Sequence, residues 1–401
     1  MGDKQDWAAQ ALAHVHALAD EIGARGSCTA AEERAAAYAA EHMRCLGLQG
    51  VVESFRGAPS TYRPYALAFV TAMLGTALVH LPGGRWAAAA AAALSALAAW
   101  GMLRETDLAT DWLRRLLPRG HSQNAVCIVA PSGPVQHRAV LCAHLDSHRT
   151  PVFYSSRPWQ RLFSLLVGAA WASMVAGAML YGLGALLGWT WVRWAGLAAA
   201  AMQLFALALC LHADRTPFSP GANDNASGAG VALALAGRLR HEPLACTEVW
   251  LALTGCEETG AAGMAAFLDT HARELGVEAL IVVLDQVGIG HLVTLTADGL
   301  ILKHRTHARA LQAARSAREA LPGLVVRERA GIAYTDAMVA TKRGLAALTV
   351  VALPPPGGED HWHQVSDRSE YVEPQCLADA CAFAWQILQN LAASAGRPGE
   401  G

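Results

Sequence analysis

His144 and Asp146 close the run "RAVLCAHLD" on alternate positions, and further polar groups punctuate the chain at comparable places. These are Asn223, Asp224 and Asn225 in "PGANDNASGAG", Glu257 and Glu258 in "LTGCEETG", Asp285 in "VVLDQVG", and His361 and His363 in "HWHQVSD". Imidazole and carboxylate donors without a thiolate suit zinc, with manganese or cobalt as alternatives. Singly, each has a plain structural explanation: HxD arises by chance, Asp224 would cap a helix starting near Ala226, and adjacent glutamates suit a solvated strand end. Gathered at one rim they read differently, because carboxylates a few ångströms apart cannot all stay ionised without a cation.

A sheet is what would gather them. Strand-like runs "GVVESF", "NAVCIVAP", "RAVLCAHLD", "TEVWLALTG", "EALIVVLDQVG" and "LAALTVVALP" are separated by helical patterns over 6–23, 30–48, "GANDNASGAGVALALAGRLR" and the stretch from Gly260. Alternation of this kind predicts an α/β fold, a mostly parallel mixed sheet covered by helices on both faces. Ligands in such folds collect at the carboxyl ends of the strands, where His144, Glu257, Glu258 and Asp285 fall.

Two blocks interrupt that pattern. Residues 64–81, 86–103, 162–187 and 194–211 are apolar throughout, without an internal Lys, Arg, Asp or Glu. Each has about the 17–25 residues a helix needs to cross a bilayer core. They pair into hairpins through "LPGGRW" and "GWTWVRW", with Trp at the expected interface. Gln203, the strongly polar side chain in mid-span, reads as a helix–helix contact. Arginines crowd the hairpin bases (Arg56, Arg63, Arg104, Arg114, Arg115, Arg119, Arg149, Arg157, Arg161, Arg215), against Arg85 and Arg193 in the tips. By the positive-inside rule the bases face the cytoplasm. Composition agrees: 53% of residues are hydrophobic and 16% charged, against roughly 45–50% and about 25% in soluble domains. A net charge of −2 without a basic block argues against nucleic acid as partner. The nine scattered cysteines form no CxxC pair, so neither a disulfide framework nor a thiolate zinc site is expected.

The ordered series "AHLDS", "PGANDNASGAG", "LTGCEETGAAGM", "VVLDQVGIG" and "HWHQVSD", together with the opening "GARGSCTAAEERAAAYAAEHMRCLGL", resembles the zinc-dependent aminopeptidase family typified by bacterial leucyl aminopeptidases. Glutaminyl cyclases and glutamate carboxypeptidases are its relatives. The resemblance implies two Zn²⁺, one held by His144 and Asp285, the other by Glu258 and His363, with Asp224 bridging. It implies Glu257 as the general base acting on a metal-bridging water, and Asp146 behind His144 to fix its tautomer. His363, four residues before Asp367, fits the family's ligand position better than His361, which is expected to be a solvated loop residue. "YTDAMVA" stands where the family has a Ser-Asp-His segment ending in an aromatic; Asp336 is kept and Tyr334 is a candidate for lining the substrate pocket, but Ala337 and Ala340 replace the usual His and aromatic.

The expected organisation is therefore a catalytic domain in three pieces (1–61, 120–150 and 216–395), two transmembrane hairpins (62–119 and 151–215) and a flexible tail (396–401). The expected protein is a membrane-anchored aminopeptidase of a bacterial inner membrane, with four transmembrane helices and its catalytic domain on the cytoplasmic side. It would act on peptides with a free N-terminus, hydrophobic or membrane-associated, beside the lipid bilayer. A glutaminyl cyclase-like or other amide hydrolase, and a non-catalytic membrane scaffold, are the alternatives.

Overall fold

The computed structural model describes residues 2–109 and 112–394; the flexible tail expected at 396–401 lies outside the described residues. In chain order, α1 (Gly2–His16) runs into a wider turn through Ile22 and is followed by α2 (Ala30–Cys45), which Thr29 caps by accepting the Glu32 amide. Next come β1 (Val51–Gly57), α3 (Tyr62–Leu78), α4 (Gly84–Thr106), α5 (Trp112–Leu116), β2 (Gly120–Val129), β3 (His137–His144), α6 (Arg157–Leu187) and α7 (Val192–Ala213). The chain continues with α8 (Gly228–His241), β4 (Thr247–Thr254), α9 (Ala262–Leu275), β5 (Leu280–Leu284), β6 (His291–Asp298), β7 (His304–Arg305) and α10 (Ala308–Ala320). It ends with β8 (Val326–Ala330), α11 (Asp336–Lys342), β9 (Ala346–Leu353) and α12 (Pro374–Ser394).

These elements divide into two units, one of Met1–Pro59, Arg119–His148 and Phe218–Gly401, the other of Ser60–Pro118 and Arg149–Pro217. In the first, the sheet runs β1-β2-β4-β3-β5-β9-β6-β7, with β8 on β6. Its centre is parallel, β3 lying between β4 and β5 with β9 beyond, and the outer pairs β1/β2, β2/β4, β6/β9 and β6/β7 are antiparallel. Both faces are covered, because successive side chains on a strand point opposite ways. Val249, Leu251 and Leu253 of β4 join a cluster with Leu18, Ala36, Val231, Leu235, Phe383 and Ile387 of the helical layer. Trp250 between them faces the other way, its ring 6.1 Å edge-on to Phe267 of α9.

The edge built from β6, β7 and β8 went unread in the sequence; β7 is two residues long and β8 presents four exposed positions, so neither carries an apolar alternation. The helix after "GAND" also starts later than expected, at Gly228. Asp224 and Asn225 leave helical geometry, and it is Asn225 Oδ1 that accepts the Gly228 amide at 3.0 Å. Asp224 is thereby released from capping.

The second unit is a bundle in which α4 packs against α3 and α6, and α7 against α3 and α6. Small residues let the helices close up: a Cβ on Gly75 would meet the Ala91 carbonyl at 2.9 Å, and one on Gly196 the Tyr181 hydroxyl at 2.0 Å. Polar contacts inside the bundle include Trp171 donating to Ala99 O (3.0 Å), the Thr76–Tyr181 hydroxyl pair (2.8 Å) and Gln203 donating to Ser173 Oγ (3.4 Å). Leu165, Met179, Leu183, Leu186, Leu204 and Phe205 are exposed on the outside. Three of its helices, α4, α6 and α7, are long and apolar enough to cross a membrane. The first expected span forms a helix as well, but α3 has 17 residues, about 26 Å of rise against a core of roughly 30 Å.

Candidate metal centre

Parallel register brings the sequence-separated polar groups to one end of the sheet. His144 ends β3 opposite Thr254 of β4, so the Glu257–Glu258 turn begins beside it. On the other side Cys142 pairs with Val283 of β5, which places Asp285 level with His144. Two loops complete the rim, the turn before α8 carrying Asp224 and the loop after β9 carrying His363. Gly221 permits the first of these: its φ is 63°, and a Cβ there would strike the Asp224 carbonyl at 2.6 Å and Ser147 Cβ at 2.7 Å. Cys256 and His363 adopt φ of 51° and 55° despite their side chains, the kind of strained backbone that concentrates at functional sites.

His144, Asp224 and Asp285 form one group of candidate ligands, and His148, Glu258 and His363 another, each with donor atoms within 4.8 Å of one another. Asp224 faces both: Oδ1 lies 3.2 Å from His144 Nε2 and Oδ2 lies 3.1 Å from His363 Nε2. Asp285 Oδ1 is 3.6 Å from His144 Nε2, and Glu258 Oε2 is 3.3 Å from His363 Nε2. All of these side chains are buried.

Supporting contacts differ from the simplest picture. His144 Nδ1 is 3.0 Å from the backbone oxygen of Asp146 and 3.7 Å from its carboxylate. That carboxylate instead accepts the amides of Glu257 (3.0 Å) and Glu258 (3.2 Å) and the hydroxyl of Ser27 (2.6 Å). Asp367 accepts the amides of Asn223 (2.7 Å) and Asp224 (3.0 Å), holding the other ligand turn. Glu32 accepts those of Cys28 and Cys256, both at 2.8 Å. Arg25, fully buried, donates to the carbonyls of Leu18, Gly23, Leu145, Pro220 and Gly221, tying the start of the chain to both ligand loops. Arg25, Ser27 and Glu32 lie in the "GARGSCTAAEE" opening, a stretch that sequence reading singled out without assigning these roles.

Charge in the centre is strained in the direction a cation relieves. Burial alone would lower His363, yet Glu258 and Asp224 outweigh it and bring it up to about 9. His144 is likewise raised against burial by Asp146, Asp224 and Asp285. Burial pushes Glu258 up to about 7 and Glu257 well above the carboxylate range. Glu257 Oε1, Glu258 Oε1 and Asp285 Oδ1 are buried without a hydrogen-bond donor, and an uncompensated buried carboxylate costs several kcal/mol. Oxygen and imidazole donors in this number fit zinc or a similar divalent ion.

The weaker candidates sit elsewhere. Asp336 is 1% exposed beneath the strand ends, accepting Thr254 Oγ1 at 2.6 Å and Cys142 Sγ at 3.3 Å, and burial pushes its carboxyl up to about 6. Tyr334 is half-buried and donates its hydroxyl to the Glu258 carbonyl at 3.3 Å. His361 lies outside both ligand groups; it bonds Ser366 Oγ at 2.9 Å and stacks on Tyr371 at 4.2 Å, half-buried rather than solvated. His148 is the residue whose place among the candidate ligands sequence reasoning missed.

Residues 197–388 match the model of peptidase family M28. The M28 span holds Asp224, Glu257, Glu258, Asp285 and His363 and begins after β3, which carries His144. Among solved structures, a zinc aminopeptidase from Bacillus subtilis is similar over 96% of this chain and 95% of its own, with a TM-score of 0.58 and 17% identity. An aminopeptidase from Aneurinibacillus sp. strain AM-1 aligns over 98% and 95%, with a TM-score of 0.58 and 15% identity. A Bacteroides thetaiotaomicron glutaminyl cyclase aligns over 96% and 97%, with a TM-score of 0.54 and 12% identity. These likenesses show that the chain has the fold these enzymes share. No curated protein sequence matches the chain.

Proposed function

We propose that the chain is a membrane-inserted metallopeptidase of the M28 type, working as an aminopeptidase on peptides with a free N-terminus. One observation carries the reading: Asp224 presents one oxygen to each of two ligand groups, and Glu257 stands in the same turn as Glu258. His144, Asp224 and Asp285 would hold one divalent cation, and Asp224, Glu258 and His363 a second. Such ions, when bound, acidify water and polarise a carbonyl. Glu257 would take the proton from the attacking water and pass it to the leaving amine, its backbone pinned to Asp146 and its Oε1 unengaged. Burial keeps its basicity high, which suits a group that must accept a proton near neutral pH.

The similarity to glutaminyl cyclases supports a second reading, cyclisation of N-terminal glutamine on the same centre. Purified protein should contain about two zinc or equivalent ions and release N-terminal residues from some member of an unblocked peptide panel that includes glutamine-initiated peptides. Glu257→Gln should keep the metal and lose roughly 10²–10⁴-fold in kcat. Bound metal with no Glu257-dependent release from any peptide would refute the aminopeptidase reading, and pyroglutamate as the product would favour the cyclase.

Membrane insertion rests on α4, α6 and α7 and on the apolar outer surface of the bundle. With α3 as a fourth span, the arginine distribution supports a catalytic unit on the cytoplasmic side of a bacterial inner membrane, where hydrophobic or membrane-attached peptides would reach it.

A further inference from the structure

We infer that His148 is a catalytic hydrogen-bond donor, aimed at the carbonyl oxygen of the scissile amide rather than at a metal ion. The inference deepens the reading of the centre as an amide-cleaving site and rests on it. His148 is 6% exposed, and one of its ring nitrogens lies within 4.8 Å of the ligand atoms of Glu258 and His363. It therefore stands beside the group that Glu258 and His363 form. Its backbone is fixed on both sides. The Ser219 amide donates to the His148 carbonyl at 2.8 Å, and Ser147 is held by the Arg25 carbonyl at 3.1 Å and the Ser219 carbonyl at 2.8 Å.

Ring geometry decides between ligand and donor. His148 and His363 stack with centroids 3.6 Å apart and planes 12° from parallel. An imidazole binds zinc along the nitrogen lone pair, in the plane of the ring, at about 2.0–2.1 Å. An ion that His363 held in its ring plane would be about a ring-stacking distance from the plane of His148. The two histidines cannot both point lone pairs at it. What the stack does permit is an N–H from His148 directed over the ion's neighbourhood. Imidazole carries at least one N–H in either charge state, and the role needs that hydrogen on the nitrogen turned to the substrate. As the amide carbon becomes tetrahedral, its oxygen gains negative charge, and a fixed donor in a buried site stabilises that charge more than it stabilises the ground state.

His148→Phe keeps an aromatic ring on His363 and removes the donor. It should lower kcat by about 10²-fold with little change in KM, and weaken binding of α-aminoalkylphosphonic acids, tetrahedral mimics, by a similar factor while leaving free amino acids unaffected. Cobalt-substituted protein should show the same ion count and visible absorption in wild type and His148→Phe. His148→Gln, which restores an N–H, should recover part of the loss. Loss of an ion or a changed cobalt spectrum in His148→Phe would make His148 a ligand and overturn the inference. Unchanged kcat and phosphonate affinity would overturn it too. Failure of the parent reading shows separately, as wild-type protein that binds cobalt without cleaving any peptide, and takes this inference with it.

Discussion

At the scale of single residues, the centre is governed by which atoms of a side chain reach which neighbours. Asp146 illustrates this: an HxD pair suggests a carboxylate backing an imidazole, yet the backbone oxygen lies nearer to His144 while the carboxylate collects the amides of Glu257 and Glu258. Asp146→Asn would replace one acceptor oxygen with a donor facing an amide, so both glutamates should lose their alignment. The expected effect is a roughly 10- to 100-fold loss in metal affinity, read by chelator competition on the purified protein. An unchanged affinity would show that the turn holds its shape without that carboxylate. His363 was singled out by its resemblance to the family's pattern, four residues before Asp367, and it falls in a candidate ligand group. The pairing of His148 with His363 was not legible, because it crosses more than half the chain and depends on a stack that no local pattern encodes.

Between elements, long-range hydrogen bonds do what helix and strand signals cannot. Arg25 satisfies carbonyls from the end of the first helical segment, the loop after β3 and the turn before α8. Arg25→Met would leave the Leu145 and Pro220 carbonyls without this donor, while those of Leu18 and Gly221 keep the amides of Gly23 and Ala226, so at about 1–3 kcal/mol for each lost partner destabilisation of about 2–6 kcal/mol is expected. A thermal melt in detergent would register it as a large drop in midpoint. The contact of α1 with α2 adds a pH dependence. His14 is buried against the His42 ring at 4.3 Å and the Tyr38 hydroxyl at 2.7 Å, and burial pulls it down to about 3. The unfolded chain binds this proton first, so stability is intact above about pH 6.5 and declines as pH falls toward 3. At pH 5 the loss is about 2 kcal/mol. His14→Gln should flatten the decline between pH 7 and 5, as measured by thermal midpoints; identical slopes would remove His14 as the cause.

Across the whole molecule, two insertions interrupt one domain without disturbing its register. The first departs after β1 and returns at β2, strands that pair from Gly57↔Gly120 onward. The second departs after His148 and returns at Phe218, with the His148 carbonyl accepting the Ser219 amide at 2.8 Å. Because each gap closes on adjacent backbone, replacing 60–118 and 149–217 by short Gly/Ser linkers should give a folded, soluble unit that still binds metal. Circular dichroism and metal analysis would check this. If the excised unit aggregates or is metal-free, the bundle contributes to the fold. If it is active but indifferent to whether substrates are vesicle-bound, while the full chain prefers them, anchoring supplies proximity alone.

The α/β class, the strands that end in ligands and the apolar blocks were all readable from the sequence, because strand alternation, helical period and hydrophobic length are local properties that survive without a partner. "AHLD", "DNAS" and "CEET" offered imidazole and carboxylate donors, and the structure brings His144, Asp224 and Glu258 into candidate ligand groups. Only the tertiary structure decided that Asp224 turns an oxygen to each histidine, that Asp146 works through two different oxygens, and that His148 lies on His363. It also decided that β6, β7 and β8 extend the sheet. Each of these depends on chain segments far apart in sequence meeting at one strand end, and hydrogen bonds and ring stacks at that distance are set by packing, which no short window of residues contains.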